Sequence, residues 1–215
     1  MIMAKDWTGN KKSVFATLGA SNHSENEREE NDFYATDAIA IDKLLSKVDL
    51  PRVILEPCCG MGHLSERLKK FGHEVFSYDI VDRGYGEVQN FFEMLSLPTT
   101  LSLSLQNGRS EKFAIVTNPP YKYSMEVILH ALELCREGDM VCMFLKTTAL
   151  EGKRRYQELY KSQPPKMVLQ FIERILCAKN GEFEESRKNL GAGAQAYAWF
   201  IWQKGYRGNT ILDWI

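Results

Sequence analysis

Short apolar runs alternate along this chain with longer stretches in which apolar residues return every three or four positions. The runs RVILEP (52–57), EVFSYDI (74–80), FAIVT (113–117), DMVCMFLKT (139–147), KMVLQFIERI (166–175) and AQAYAWFIWQ (194–203) predict strands. Between them lie helical patterns. Ile39, Ile41, Leu44, Leu45 and Val48 share one face of a helix that Thr36 or Asp37 would cap. Leu64, Leu68 and Phe71 share another, which Gly72 ends, and SMEVILHALELCREG and GKRRYQELYKS supply two more. Strands that alternate with helices predict an α/β fold with a doubly wound, mostly parallel sheet. The strands are nearly continuous in apolar character, as expected when helices cover both faces. Residues 98–112, rich in Ser and Leu, carry no clear signal, and 177–194 read as a mobile polar loop. The polar residues 1–31, ending in SNHSENEREEN, read as a flexible arm, with a single domain over 32–215.

Two turns change this from a fold into a candidate site. Ligands of open α/β sheets bind beyond the carboxyl ends of the strands. The first strand runs into Glu56-Pro57-Cys58-Cys59-Gly60-Met61-Gly62, where Gly60 and Gly62 allow a sharp bend and a close backbone approach. Position 65 is Ser, so the third glycine of a dinucleotide fingerprint is missing and a pyrophosphate cradle is disfavoured. Acids end two successive strands instead: Glu56 beside the glycine turn, and Asp79 in SYDI, where a carboxylate accepts ribose hydroxyls. A nucleoside that carries positive charge fits this pair, and S-adenosylmethionine has that character.

The second turn comes after FAIVT and reads Asn118-Pro119-Pro120-Tyr121. Two prolines end the strand and stiffen the backbone beyond it. The Asn118 carbonyl oxygen and the Pro119 carbonyl are two acceptors for an amino group on a planar ring, and Tyr121 can stack on that ring. An aromatic amine is a poor nucleophile because its lone pair is delocalised. Two acceptors on its N–H bonds favour a pyramidal nitrogen and stabilise the positive charge that develops there.

These residues resemble the DNA adenine methyltransferases that modify the 6-amino group. Asn118 to Tyr121 is similar to their catalytic motif, Glu56 to Gly62 to their cofactor motif, and Asp79-Ile80 to the acid after the second strand. Phe33-Tyr34-Ala35-Thr36 resembles a segment that packs over the methionine part of the cofactor, with Asp37 where Pro is usual. Asn90-Phe91 resembles the Asp-Phe pair near the cofactor adenine, with Asn in place of Asp. The resemblance covers about residues 32–203, and the motif order is that of the gamma arrangement and of small phage and prophage forms. It implies a Rossmann-like class I methyltransferase domain with a seven-stranded sheet, S-adenosylmethionine as cofactor and DNA as partner. Phe171 would supply the second face of a sandwich around a flipped base. The chain leaves no room for the target-recognition domain of larger members. Selectivity would then come from a separate specificity partner or from short loops at 89–110, 146–155 and 177–194, where Lys153, Arg154 and Arg155 would meet phosphates.

Composition narrows the field further. With 44% hydrophobic and 26% charged residues, the 215-residue chain reads as globular, and the absence of a long apolar run or signal segment points to a cytoplasmic protein. Its five cysteines show no zinc or disulfide spacing, and no metal is expected. Net charge is −6 through Leu145 and +5 from Lys146, so a polyanion would favour the second half. The residues leave two other readings open: the same chemistry on RNA adenine or a protein glutamine amide, and an inactive nucleic-acid-binding module.

Overall fold

A computed structural model describes residues 34–107, 112–179, 181–188 and 195–215. The expected arm at 1–31 and Phe33 lie outside the described residues. The elements, in chain order, are β1 (Tyr34–Thr36), α1 (Ile39–Leu45), β2 (Val53–Glu56), α2 (His63–Lys70), β3 (Glu74–Asp79), β4 (Glu87–Val88), α3 (Thr99–Asn107), β5 (Phe113–Thr117), α4 (Ser124–Leu134) and β6 (Met140–Lys146). After these come α5 (Lys153–Arg155, which runs on as a π-helical turn at Tyr156–Tyr160), β7 (Met167–Gln170), β8 (Cys177–Lys179), α6 (Phe183–Lys188), β9 (Tyr197–Gln203) and β10 (Ile211–Trp214).

The main sheet has the order β10-β7-β9-β6-β5-β2-β3-β4, in which β9 alone runs antiparallel to its neighbours. It has eight strands where seven were expected, because the chain's last residues add β10 in parallel beside β7. Alternate residues of the central strands face opposite sides. Val53, Leu55, Phe113, Ile115, Val141 and Met143 join α4 and Leu101 of α3 in one core cluster. Ile54, Ala114, Val116, Cys142, Phe144 and Trp199 join α1 and α2 in the other. Helices on both faces explain why these strands carry no polar side. Trp199, fully buried, keeps its indole N–H satisfied by donating to the Ala40 carbonyl at 2.8 Å.

Three stretches depart from expectation. Residues 99–107 form α3: the i, i+4 pair Leu101 and Leu105 packs inward with Leu97, whereas Leu103 is exposed. The alternation of Ser and Leu there hid the helical face. The expected loop at 177–194 contains β8 and α6, and β8 forms a separate antiparallel ribbon with β1. The helical face before β2 is shorter than expected. Ala40, Ile41 and Leu44 are buried and Val48 is buried in the turn beyond, but Ile39 is 46% exposed. Ala38 occupies the N-cap position without a side-chain bond, and Asp37 Oδ1 accepts from the Ile39 N–H at 3.1 Å.

Candidate active site

The carboxyl ends of β2, β3 and β5 meet where the strand order reverses around β2. The turn after β2 is clamped to β3 by backbone hydrogen bonds. Cys59 N–H donates to the Tyr78 carbonyl at 2.8 Å, and Gly60 N–H donates to Asp79 Oδ2 at 2.8 Å. The other oxygen of Asp79, Oδ1, accepts from Val81 N–H at 3.0 Å. Asp79 thus braces the turn and still has unused lone pairs on both oxygens. Gly60 and Gly62 have φ of 56° and 81°, in the left-handed region. At Gly62 a Cβ would stand 2.6 Å from the Tyr85 ring. That ring is held in turn by its hydroxyl, which donates to Glu66 Oε1 at 2.7 Å and accepts from Lys69 Nζ at 2.7 Å.

Glu56 ends β2 with 1% exposure. The Ser65 hydroxyl, one turn into α2, donates to its Oε2, and Ser65 and Ser77 hydroxyls lie 2.6 Å apart beneath it. Burial pushes the Glu56 carboxyl up to about 8; the hydrogen bonds from Ser65 oppose this, Asp79 adds to it and Lys69 opposes it. Burial likewise pushes the Cys58 thiol up. All five cysteines are unpaired thiols, and among the described residues no cluster of His, Cys, Asp and Glu is arranged to hold a metal ion.

At the end of β5, Asn118 is fixed by the β1 segment. Its Nδ2 donates to the Tyr34 carbonyl at 3.2 Å and to Thr36 Oγ1 at 2.9 Å. Tyr34 offers a carbonyl, which can only accept, so the amide nitrogen must face it. The amide oxygen, Oδ1, is left buried without a partner. The Pro119 carbonyl accepts no hydrogen bond among the described residues, whereas the Pro120 carbonyl accepts from Tyr123 N–H at 2.9 Å. Tyr121 is more enclosed than stacking on a substrate requires. Its ring stacks on Tyr197 with centroids 6.1 Å apart, and Lys146 Nζ lies 4.9 Å from its centroid. Tyr123, two residues on, is 39% exposed, with Lys122 Nζ 5.0 Å from its centroid.

These edges enclose one cavity of about 410 Å³, within the range typical of small-molecule sites. Five expected segments line it: Tyr34–Thr36, Glu56–Cys58, Asp79 with Ile80, Asn90 with Phe91, and Asn118–Tyr121. Gly60 and Gly62 are not in its wall; they shape the turn beside it. Asn90 works as a cap for the 3-10 turn Phe91–Glu93: its Oδ1 accepts from Phe92 N–H at 3.1 Å and its Nδ2 donates to Glu93 Oε1 at 3.1 Å. Sequence reasoning missed Tyr123, Phe92, Val127 and His63 as wall residues. The helical patterns around 63 and 127 pointed to α2 and α4 as core helices, and nothing local marked their first turns as lining. His63 packs edge-on against Phe183 of α6 at 5.3 Å, its Nδ1 buried without a partner, and burial lowers its pKa.

Phe171 departs from its expected place. It lies just past β7, is 6% exposed and packs against Phe144 at 5.7 Å inside the core, outside the cavity wall. The basic trio is only partly available. Arg154 pairs with Glu126 at 3.3 Å and Glu158 at 3.1 Å, and Arg155 Nη1 donates to the Thr148 and Ala149 carbonyls at 3.3 and 3.1 Å and to that of Glu151. Lys153 is exposed, with no carboxylate within ion-pair distance among the described residues. Of the three candidate selectivity loops, residues 108–110, 180 and 189–194 lie outside the described residues.

No family model matches this sequence, and no curated protein does. Solved structures resemble it. A Lactococcus lactis protein described as a "putative hemolysin" is 12% identical, with a TM-score of 0.51 over 83% of this chain and 91% of its own. A Listeria monocytogenes protein described as a "putative class I S-adenosylmethionine-dependent methyltransferase" is 11% identical, with a TM-score of 0.44 over 83% of this chain and 62% of its own. The modification subunit of a "putative type I restriction enzyme" from Vibrio vulnificus is 12% identical, with a TM-score of 0.49 over 93% of this chain and 48% of its own. The chain thus spans less than two thirds of the length of the latter two. Identities this low speak for the fold alone, which with the strand order above is a Rossmann-like, mostly parallel α/β fold.

Proposed function

We propose that this protein transfers a methyl group from S-adenosylmethionine to the 6-amino group of adenine in DNA. One observation carries the reading: Asn118 belongs to the cavity wall, and its amide is held by its nitrogen, which leaves the buried oxygen without a partner. A buried acceptor left unpaired costs about 1–3 kcal/mol, and an amino group is the chemical complement that removes this cost.

The residues present fit the cofactor. Asp79 keeps lone pairs for ribose hydroxyls, and the buried Glu56 gains most from a cationic neighbour because no cation sits within hydrogen-bond reach of it among the described residues. Ile80, Asn90, Phe91 and the exposed Phe92 border the region where a purine would lie, and Tyr34 to Thr36 close the opposite side. When bound, S-adenosylmethionine supplies an electrophilic methyl group on a sulfonium centre. The chain's part is to orient the nucleophile. Asn118 Oδ1 and the Pro119 carbonyl accept the two N–H bonds of the amine, which turns the nitrogen lone pair out of conjugation with the ring. The prolines hold both acceptors rigidly, and such fixed alignment supplies a large share of a transfer barrier. The nitrogen gains the methyl and releases one proton to water. Tyr123 is the exposed aromatic ring at the same edge and the better placed to meet an extruded base.

Incubation with labelled S-adenosylmethionine and parallel pools of DNA, RNA and protein tests this, with nucleoside and amino-acid analysis of the products. The expected product is 6-methyladenine in DNA. Label that appears only in RNA or in glutamine would move the substrate to one of those classes, and no label in any pool together with no cofactor binding would leave a binding module.

A further inference from the structure

We propose that Thr36 is a positioning residue, whose hydroxyl holds the Asn118 amide in the orientation that the Tyr34 carbonyl dictates. This rests on the reading above, in which the amide oxygen receives the substrate amine. The amide nitrogen has two protons and finds two acceptors, the Tyr34 carbonyl at 3.2 Å and Thr36 Oγ1 at 2.9 Å. A flipped amide would set its oxygen against the Tyr34 carbonyl oxygen and turn two donors toward the cavity. Those donors would repel the N–H bonds of an amine. Thr36 Oγ1 is the nearer of the two acceptors and the only one that a side-chain change can remove.

The fold holds Thr36 for this task from a distance. It ends β1, is 3% exposed, and sits opposite Cys177 in the β1–β8 ribbon. Ala35 pairs with Ala178 and Tyr34 with Lys179 in the same ribbon. The ribbon stands apart from the main sheet, so the residue that carries the chemistry, on β5, is oriented by a second layer built from segments about 80 residues before it and 60 after it. The sequence resemblance sets Tyr34 to Thr36 against the cofactor; the hydrogen bonds add a role toward the nucleophile's acceptor.

Thr36→Val and Thr36→Ser separate the possibilities. Val keeps shape and β propensity but has no acceptor, whereas Ser keeps the hydroxyl. In the ligand-free protein labelled with 15N at asparagine side chains, one of the two Asn118 amide protons is expected to exchange about tenfold faster in Thr36→Val and at the wild-type rate in Thr36→Ser. In turnover, Thr36→Val is expected to lower kcat about tenfold, with cofactor Kd and substrate KM within about twofold of wild type, and Thr36→Ser to restore kcat. Loss of cofactor affinity in parallel with kcat would assign Thr36 to the cofactor and overturn the proposal, as would unchanged amide exchange in Thr36→Val. If the wild-type protein methylates no adenine, the functional reading fails, but the exchange rates still decide whether Thr36 orients Asn118. Melting curves of both variants identify any loss that comes from unfolding alone.

Discussion

Asn118 and Glu56 play different electrostatic parts in the wall of one cavity. Asn118 presents a neutral acceptor that is already oriented, so Asn118→Ala is expected to lower kcat by about 10²–10³, the cost of losing one preorganised group at a charge-developing centre, with cofactor affinity nearly unchanged in calorimetry. Glu56 is different, because its burial makes ionisation costly in the ligand-free fold. Its folded pKa of about 8 lies above the unfolded value near 4.5, so the native state holds a proton that the unfolded chain has lost between those values. Stability from this group is therefore full below about pH 4.5 and falls as pH rises through 8. Glu56→Gln is expected to remove that fall: urea midpoints at pH 5 and pH 9 converge in the variant, whose ligand-free form gains a few kcal/mol over wild type at pH 9. The same variant binds a cationic ligand more weakly. Both residues stood out in the sequence, since a strand-ending acid before a glycine turn and an Asn-Pro-Pro-Tyr turn are local patterns. The orientation of the amide did not, because it depends on partners far along the chain.

Among the elements, the turn between β2 and α2 and the turn between α4 and β6 stabilise the sheet at opposite ends. At Gly62 an alanine must adopt φ near 81° and meets the Tyr85 ring, so Gly62→Ala is expected to cost at least about 1–3 kcal/mol in chemical denaturation and to weaken cofactor binding by displacing the turn. At the other end Asp139, fully buried, accepts from Phe113 N–H at 3.2 Å and Arg136 N–H at 2.8 Å, and so ties the α4–β6 turn to the start of β5. Asp139→Ala is expected to cost about 2–4 kcal/mol, with kcat unaltered well below the melting temperature. Element types were legible wherever the apolar period was sustained over a buried run, as in β5 and β6. They were not legible for α3, where Ser and Leu alternate, nor for β8 and β10. Each of those strands is only three or four residues long and acquires its partner from a distant part of the chain.

For the molecule as a whole, the sheet couples cofactor binding to stability, because the cavity wall is drawn from β1, β2, β3 and the turn after β5 together with α2 and α4. A ligand at 100 times its Kd stabilises by about 2.7 kcal/mol, which for a chain of this size raises the melting temperature by roughly 5–10 °C. S-adenosylmethionine is expected to produce that shift in differential scanning fluorimetry, and Asp79→Ala to abolish most of it. The reversed charge of the two halves places Lys146 and Lys153, near the carboxyl ends of the strands, in the positive half. Among the described residues no helix is long and apolar enough to cross a membrane. The periodicity of apolar positions determined the α/β class, the parallel core and the two turns at its carboxyl edge, because burial on both faces and the stereochemistry of glycine and proline are imposed locally. Tertiary structure alone decided that Phe171 is core, that Tyr121 is enclosed by Tyr197 and Lys146, and that β1 holds the Asn118 amide by its nitrogen, because each depends on contacts between segments that are adjacent only after the chain has folded.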